Sequence, residues 1–243
     1  MRLFGLIGYP LTHSFSKKYF AEKFERESIT DCRYELFPLA SIAELPKLLH
    51  DHPELEGLNV TIPYKKNILS FLDEKMLPPG LEACNCIRIQ FGKLMGFNTD
   101  VIAFEKTLSP LLRPYHSRAL ILGTGGAAAA IIFVLQKLGI GFTSISRTPK
   151  NTGELRYDQV TEEIMRGHSL IINTTPLGTF PDIDSCPDIP YDLITQDHLL
   201  YDLVYNPSMT LFLQKGKAKG ASVKNGEEML ELQAEESWRI WNS

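Results

Sequence analysis

The sequence predicts an α/β protein made of two lobes. Apolar, β-branched segments typical of buried strands alternate with helical segments along the 243 residues, which predicts βαβ units and mostly parallel sheets. Pro110 and Pro114 interrupt this alternation before a second series begins at Arg118. A glycine-rich turn follows the first strand of that second series. We therefore expect a first lobe over 1–100, a second over 101–225, and a C-terminal helix within 226–243. That helix would pack back on the first lobe if its Gln233 reaches a ligand bound there.

Composition and charge exclude several classes of protein. With 44% hydrophobic and 22% charged residues, the chain has the composition of an ordinary soluble globular protein. Its 25 basic and 29 acidic residues give a net charge of −4, so we expect neither nucleic acid nor a membrane as a partner. The N-terminus has no signal-peptide pattern, which predicts a cytoplasmic protein. The four cysteines lack zinc-site spacing, so we expect no metal and interpret them as small buried residues.

Strand and helix patterns place the polar motifs of the first lobe. Strands are predicted at RLFGLIG, CRYELFPL and GLNVT, helices near 16–28 and 42–50, a hairpin around Gly92-Lys93, and a helix from about 100 to 112. In the second series, strands are predicted at RALILG, GFTSISRT, 169–175, 198–205 and 221–226. The last helix, from Glu227 to about Trp241, is amphipathic.

The turn LGTGGAAAA is the strongest local motif. Gly123-Thr-Gly125-Gly126-Ala-Ala128 follows an apolar strand and opens a helix, which is the G-x-G-x-x-G/A arrangement of Rossmann-type dinucleotide-binding lobes. The first glycine permits the tight turn, the second lets backbone approach a pyrophosphate, and the helix N-terminus supplies amide donors. A glycine-rich turn that binds nothing is the alternative, and the flanking strand and helix favour binding.

The end of the next strand, SISRT, indicates which dinucleotide is bound. NAD enzymes carry an acidic residue about 20 residues after the turn, where its carboxylate accepts from a ribose hydroxyl. This chain has Ser146, Arg147 and Thr148 there, which would instead bind a 2′-phosphate. NADP is therefore predicted over NAD. An exposed loop arginine without a ligand is the alternative, and it leaves the missing acid unexplained.

Small polar residues follow three apolar strands of the first lobe. Ligands of parallel sheets bind beyond the carboxyl ends of the strands, and a lining of hydroxyl, amide and ammonium groups suits a small polyhydroxylated acid. Each residue also has an ordinary explanation as a helix cap, turn former or solvated lysine. The residues are His13, Ser14, Ser16, Asn59, Thr61, Lys65, Asn85, Asn98, Thr99 and Asp100.

Eight motifs, in their order along the chain, resemble those of shikimate dehydrogenases over nearly its whole length. They are GYPLTHSFS, GLNVTIPYKK, GFNTD, LGTGGAAAA, SRT, NTTPLG, DLVYNP and NGEEMLELQAEESW. The resemblance implies reversible, NADPH-dependent reduction of 3-dehydroshikimate to shikimate, a step in the formation of chorismate and aromatic amino acids. This chain differs from the family pattern at a few positions. It has Lys17 where the family usually has Pro, and Cys84 and Cys86 flank Asn85.

The resemblance also implies roles for individual residues. Lys65 and Asp100 would form the catalytic pair. The substrate-binding residues would be Ser14, Ser16, Asn59, Thr61, Asn85 and Gln233, together with Asp100 and with Tyr205 nearby. The cofactor-binding residues would be Gly123, Gly125, Gly126, Ala127, Ser146, Arg147, Thr148, Thr174 and Gly226.

Several alternatives stay open at the level of sequence. Lys65 either transfers a proton as a general acid and base, or stays charged and stabilises an alkoxide while Asp100 or water shares the proton. Gln233 is either a substrate ligand or a boundary residue that reaches water. Three other functions compete with the one that the resemblance implies. The chain could be an enzyme of the same fold that acts on quinate or uses NAD, another two-lobed NADP enzyme such as a methylenetetrahydrofolate dehydrogenase, or a nucleotide-sensing module without catalysis. The oligomeric state is expected to be monomer or homodimer.

Overall fold

The computed structural model describes residues 1–11 and 15–243, which form two compact units. The first unit contains Met1–Ile102 and Glu231–Ser243, and the second contains Ala103–Leu230. Both boundaries fall inside a helix, so the chain passes between the units without an irregular linker at either point.

The first unit is built on a mixed sheet. Its strands are β1 (Arg2–Gly8), β2 (Cys32–Pro38), β3 (Leu55–Val60), β4 (Glu74–Lys75), β5 (Cys86–Gln90) and β6 (Lys93–Phe97). Its helices are α1 (Phe15–Arg26), α2 (Leu45–Asp51), the start of α3 (Thr99–Leu108) and the end of α7 (Glu227–Trp241). Short 3-10 helices cover Ile42–Glu44 and Asn67–Ser70.

The strand order of this sheet, β2-β1-β3-β5-β6-β4, places its polar strand ends together. The chain goes from β1 to β2 on one side and returns to β3 on the other, and both pairings are parallel. In such sheets a ligand crevice forms at this reversal, beyond the carboxyl ends of the strands. The predicted hairpin is confirmed as β5 and β6, joined by Phe91 and Gly92. The two-residue strand β4 was not predicted.

Aromatic packing fixes the end of α7 on the first unit. The Trp241 ring stacks on Phe4 at 4.8 Å between centroids, and its indole N–H donates to the Ile87 carbonyl at 2.9 Å. A Cβ on Gly57 would come within 2.3 Å of the Trp241 ring, so β3 needs glycine where this helix crosses it. These contacts hold the C-terminal helix against the same sheet that carries the polar strand ends.

The second unit is built on a parallel sheet. Its strands are β7 (Arg118–Leu122), β8 (Gly141–Ile145), β9 (Leu170–Asn173), β10 (Leu199–Asp202) and β11 (Ser222–Lys224). Its complete helices are α4 (Gly126–Lys137), α5 (Glu162–Gly167) and α6 (Leu211–Ala218), with 3-10 helices at Ser109–Leu111, Tyr157–Gln159 and Tyr191–Leu193. The buried faces of these strands and of α6 form one apolar core.

The strand order is β8-β7-β9-β10-β11, so the chain adds β8 on one side of β7 and then β9, β10 and β11 on the other. The crevice of this sheet therefore lies between β7 and β9, where the glycine turn begins. A Rossmann sheet has one further strand outside β8. Here that position is occupied by a single parallel bridge between Leu155 and Ile145. The segment from 146 to 155 contains no helix, which makes this connection shorter than a full βαβ crossover.

Several sequence-based boundaries differ from the structure, and the strand predicted at GFTSISRT, for example, ends at Ile145. The helix predicted to run to residue 112 ends at Leu108 and continues as the 3-10 helix Ser109–Leu111, because Pro110 has no N–H for an α-helical hydrogen bond. The predicted strand 198–205 ends at Asp202. Across residues 1–11 and 15–243, no helix combines the length and apolar composition that crossing a membrane requires.

Candidate functional site

A lysine–aspartate ion pair lies at the carboxyl edge of the first sheet. Lys65 follows β3 after the turn at Pro63, and Asp100 occupies the first turn of α3. The Lys65 ammonium donates to Asp100 Oδ2 at 2.7 Å, with only 14% and 10% of the two side chains exposed. The Lys65 carbonyl accepts from the Cys84 amide at 2.8 Å, which fixes the backbone of the loop. Asp100 is the partner that the described residues provide for this ammonium, and it uses one of the three N–H groups.

The Asn85 side chain is oriented by the N-terminus of α3. Its Oδ1 accepts from the Thr99 amide at 2.7 Å, and its Nδ2 donates to Thr99 Oγ1 at 3.0 Å. One N–H of Asn85 and one lone pair of its Oδ1 have no part in these two bonds. Because Thr99 precedes Asp100, the same helix end positions the amide and the carboxylate.

Asn59, predicted to bind substrate, is buried in a chain of side-chain hydrogen bonds. Its Oδ1 accepts from the Tyr34 hydroxyl at 2.8 Å. Its Nδ2 donates to Ser237 Oγ at 2.8 Å and to the Asn85 carbonyl at 3.3 Å. Burial raises the pKa of Tyr34, while a hydrogen bond with Ser16 acts to lower it. The Tyr34 hydroxyl therefore stays protonated and remains the donor to Asn59.

The other residues predicted to bind the substrate belong to different parts of the chain. Ser14 lies outside the described residues, as does His13. Ser16 is half-buried in the first turn of α1, and Thr61 is half-buried directly after β3, where its amide donates to the Ile7 carbonyl. Gln233 is half-buried on α7 in the first unit. Tyr205 belongs to the second unit, where burial raises the pKa of its hydroxyl.

The glycine turn of the second unit has the geometry needed to hold a pyrophosphate. Gly123 has a φ of +106°, and a Cβ there would come within 2.8 Å of Thr174 Oγ1, so both conformation and space require glycine. A Cβ on Gly125 would meet no atom within 4 Å, which leaves its backbone open to a ligand. Gly126 and Ala127 form the first turn of α4, whose amide groups have no acceptor within the helix. The residues present therefore fit a dinucleotide phosphate.

The residues predicted to read the 2′-phosphate lie in the loop after β8. Arg147 and Thr148 are exposed, and Ser146 is buried with its Oγ accepting from the Thr148 amide at 3.2 Å. Glu154, the acidic residue of this loop, accepts from Asn151 and from the Lys150 amide, and is thereby held by its own segment. A cationic side chain without an adjacent acid at the strand end fits a phosphate better than a neutral ribose.

Thr174 and Gly226 are held by backbone contacts. The Thr174 amide and hydroxyl both donate to the Leu122 carbonyl at 2.9 Å, which joins the ends of β7 and β9. A Cβ on Gly226 would lie 2.2 Å from the Leu203 carbonyl oxygen, so this position also requires glycine. The two residues therefore shape the carboxyl edge of the second sheet.

A buried carboxylate organises the two loops at that edge. Asp202 has no exposed surface, and it accepts from Thr210 Oγ1 at 2.6 Å, Asn173 Nδ2 at 2.9 Å and the Val204 amide at 3.0 Å. Burial raises the pKa of Asp202 to about 6, and the three hydrogen bonds only partly oppose this. Asn173 in turn accepts from the amide and the hydroxyl of Thr175 through its Oδ1.

The cysteines have no ligand-binding arrangement in the part of the chain that the structure describes. All four are free thiols, and burial raises the pKa of Cys84 to about 12, so this thiol stays protonated. Over the same residues, no three side chains from His, Cys, Asp and Glu are grouped as a metal ion requires.

Comparison with known proteins identifies the family. Residues 6–87 match the family model described as the shikimate dehydrogenase substrate binding domain. A relative from Chlorobium chlorochromatii, named shikimate dehydrogenase (NADP(+)), is 34% identical over 99% of this chain and 91% of its own length. The chain belongs to the shikimate dehydrogenase family.

Solved structures of the shikimate dehydrogenase family share the fold. The enzyme from Thermus thermophilus, in complex with NADP(H) and shikimate, has a TM-score of 0.85 and 32% identity, covering 99% of this chain and 93% of its own. The 5-ketofructose reductase of Gluconobacter sp. strain CHM43 has a TM-score of 0.80 at 24% identity, covering 99% and 92%, and shows the fold alone. The predicted α/β class with a Rossmann-type lobe is thereby confirmed.

Three buried polar residues of these sites were not predicted. Ser237 and Tyr34 hold Asn59, and Asp202 holds the loops of the second unit. The motif DLVYNP contains Asp202, and its position at a strand end was a usable signal. Ser237 lies on α7 one turn after Gln233, and the sequence contains no indication that it meets β3.

We predict that Asp202→Asn changes how stability depends on pH. The folded-state pKa of about 6 lies above the ordinary carboxyl value of ~3.9, so wild-type stability from this group is greatest below ~pH 4 and falls as pH rises through 6. Asparagine does not titrate and can keep three hydrogen bonds. Relative to wild type, the variant should gain on the order of 3 kcal/mol in unfolding free energy between pH 4 and 7.

Chemical denaturation at several pH values measures this difference. Burial lowers the pKa of His116 and His168, and these groups act in the opposite sense, but both proteins carry them and their contribution cancels. A difference between the two proteins that is constant with pH would contradict the role of Asp202.

Proposed function

We propose that this chain catalyses the reversible, NADPH-dependent reduction of 3-dehydroshikimate to shikimate, in the pathway to chorismate and aromatic amino acids. The observation that carries the proposal is the Lys65–Asp100 ion pair, in a first unit whose fold and motifs are those of the shikimate dehydrogenase family. NADP is the cofactor named for its relatives. A substrate with several hydroxyls suits the amide and hydroxyl groups at this edge.

Lys65 is proposed to move the proton. NADPH, when bound, supplies the hydride that reaches the substrate carbonyl carbon. The Lys65 ammonium donates a hydrogen bond to the carbonyl oxygen and transfers a proton to it as the alkoxide forms. The Asp100 carboxylate, 2.7 Å from Lys65 Nζ, orients the ammonium. In the reverse direction the hydroxyl proton returns to this pair.

The remaining predicted residues are proposed to bind and orient. Ser14, Ser16, Thr61, Asn85 and Gln233 would hold the carboxylate and hydroxyl groups of the substrate, with Tyr205 nearby. For the cofactor, the open backbone at Gly125 and the first turn of α4 would take the pyrophosphate, beside Gly123 and Thr174. Ser146, Arg147 and Thr148 would take the 2′-phosphate, and Gly226 would complete the edge of the site.

We also propose a cytoplasmic protein that acts as a monomer or homodimer. Four free thiols are typical of a reducing compartment. The proposed reaction uses small molecules on both sides and requires no macromolecular partner.

The proposed function is tested by following NADPH absorbance with 3-dehydroshikimate, and the reverse reaction with shikimate and NADP+. We expect turnover in both directions, with quinate and NADH as poorer reactants. Absence of NADPH oxidation by the folded protein would contradict the proposal and favour a nucleotide-sensing role.

We predict that Lys65→Ala lowers kcat by a factor of ~10²–10⁴, the usual contribution of a general acid, with a smaller change in KM. The matched control is Lys66→Ala, because Lys66 is the neighbouring lysine and is exposed. Steady-state kinetics on both folded variants measures the effect. Near-normal turnover of Lys65→Ala would remove Lys65 from the mechanism.

We predict that Arg147→Gln raises the KM for NADPH by ~10–100-fold, because a charge-assisted hydrogen bond to phosphate is worth roughly 1.5–3 kcal/mol. The KM for NADH should change little, since NADH has no 2′-phosphate. Arg166→Gln removes an exposed arginine from α5 of the same unit and serves as the control. Equal changes for both cofactors would contradict the assignment.

A further inference from the structure

A hydroxyl buried on α7, that of Ser237, joins the predicted substrate-binding residues of the first unit. Ser237 has no exposed surface. Its Oγ lies 2.8 Å from Asn59 Nδ2, 3.4 Å from Thr99 Oγ1 and 2.9 Å from the Gln233 carbonyl oxygen. These partners come from β3, from the start of α3 and from the preceding turn of α7.

The number of protons fixes the direction of each hydrogen bond. A carbonyl oxygen only accepts, so the Ser237 hydroxyl proton is donated to Gln233. Ser237 Oγ must then accept from Asn59 Nδ2 and from the Thr99 hydroxyl. Thr99 Oγ1 in turn accepts from Asn85 Nδ2 at 3.0 Å. Ser237 is therefore the acceptor for the Thr99 hydroxyl, whose oxygen holds Asn85 Nδ2, while the Thr99 amide holds Asn85 Oδ1.

The same count changes the role predicted for Asn59. Both N–H groups of its amide are used within the protein, by Ser237 and by the Asn85 carbonyl, and its Oδ1 accepts from Tyr34. Both amides are buried, with 5% of Asn59 and 2% of Asn85 exposed, so the hydrogen bonds distinguish them and burial does not. Counted over the described residues, Asn59 has no N–H left for a substrate, whereas Asn85 uses one of its two. Asn59 therefore acts through Ser237 and Asn85.

We propose that Ser237 is a positioning residue for substrate binding, and that Asn59 is a second one in place of the direct ligand predicted from sequence. This inference rests on the proposed function. Without the Ser237 hydroxyl, the Asn59 amide and the Thr99 hydroxyl lose their buried acceptor, and Thr99 must rotate to find another. That rotation releases Asn85 Nδ2 and disturbs the turn of α7 that carries Gln233.

The test compares Ser237→Ala with Ala234→Gly in steady-state kinetics with shikimate and NADP+. Ala234 is fully buried on the same helix, and glycine there weakens the helix without removing a polar group. We expect Ser237→Ala to raise the KM for shikimate about 10-fold, with kcat and the KM for NADP+ nearly unchanged. Ala234→Gly should lower the melting temperature and leave all three constants near wild type.

A double-mutant cycle tests the role of Asn59. If Asn59 acts through Ser237, the doubly substituted protein, carrying Asn59→Ala and Ser237→Ala, should bind shikimate about as weakly as the weaker single variant. Calorimetric titration of the folded proteins with shikimate measures this. If the loss of shikimate affinity in the doubly substituted protein equals the product of the two single losses, Asn59 is a direct ligand. That result would overturn its assignment as a positioning residue.

Two further outcomes separate this inference from the proposed function. If the wild type is active and Ser237→Ala has an unchanged KM for shikimate, the positioning role alone is overturned. The same holds if Ala234→Gly raises the KM for shikimate as much as Ser237→Ala does. A folded wild type without NADP-linked oxidation of shikimate would overturn the proposed function itself.

Discussion

Polar groups that are buried must be hydrogen-bonded inside the protein, and this constraint shapes the first unit. Asn59 lies at the end of β3, where apolar neighbours exclude water, and its three hydrogen bonds require Tyr34 from β2 and Ser237 from α7. The C-terminal helix is therefore held by polar contacts as well as by the stacking of Trp241 on Phe4. The Lys65–Asp100 pair lies at the same edge, in a less buried position that a ligand can reach.

In the second unit the same constraint acts on an ionisable group, the Asp202 carboxyl. Asp202 has no cationic partner among the described residues, and three donors from Asn173, Thr210 and the Val204 amide surround it. Because these donors lie at the end of β9 and in the segment between β10 and α6, satisfying one carboxylate ties that segment to the end of β9 beside the glycine turn. Burial disfavours the charged form of this carboxylate and thereby raises its pKa to about 6.

Much of the fold and part of the site could be predicted from local sequence. The Gly123–Ala128 turn was identifiable because strand, glycines and helix are adjacent in the chain. The family is confirmed by relatives that are named as NADP(+) enzymes. The pairing of Lys65 with Asp100 came from the family resemblance, and its 2.7 Å distance came from the fold. The bridge at Leu155 and the short strand β4 escaped prediction, since each is defined by pairing with another strand and has too few residues for a pattern of its own.

The sequence by itself determined the α/β class, the glycine turn, the absence of an acid beside Arg147 and the set of polar strand ends. These features follow from short-range periodicity and from residue chemistry at fixed spacing. Only the tertiary structure decided which of those polar groups remain available for a ligand. Asn59 and Asn85 look alike in sequence, yet within the described part of the chain Asn59 uses both N–H groups, on Ser237 and the Asn85 carbonyl, while Asn85 uses one. The difference arises because hydrogen-bond capacity is used by partners up to 178 residues away, which no local pattern contains.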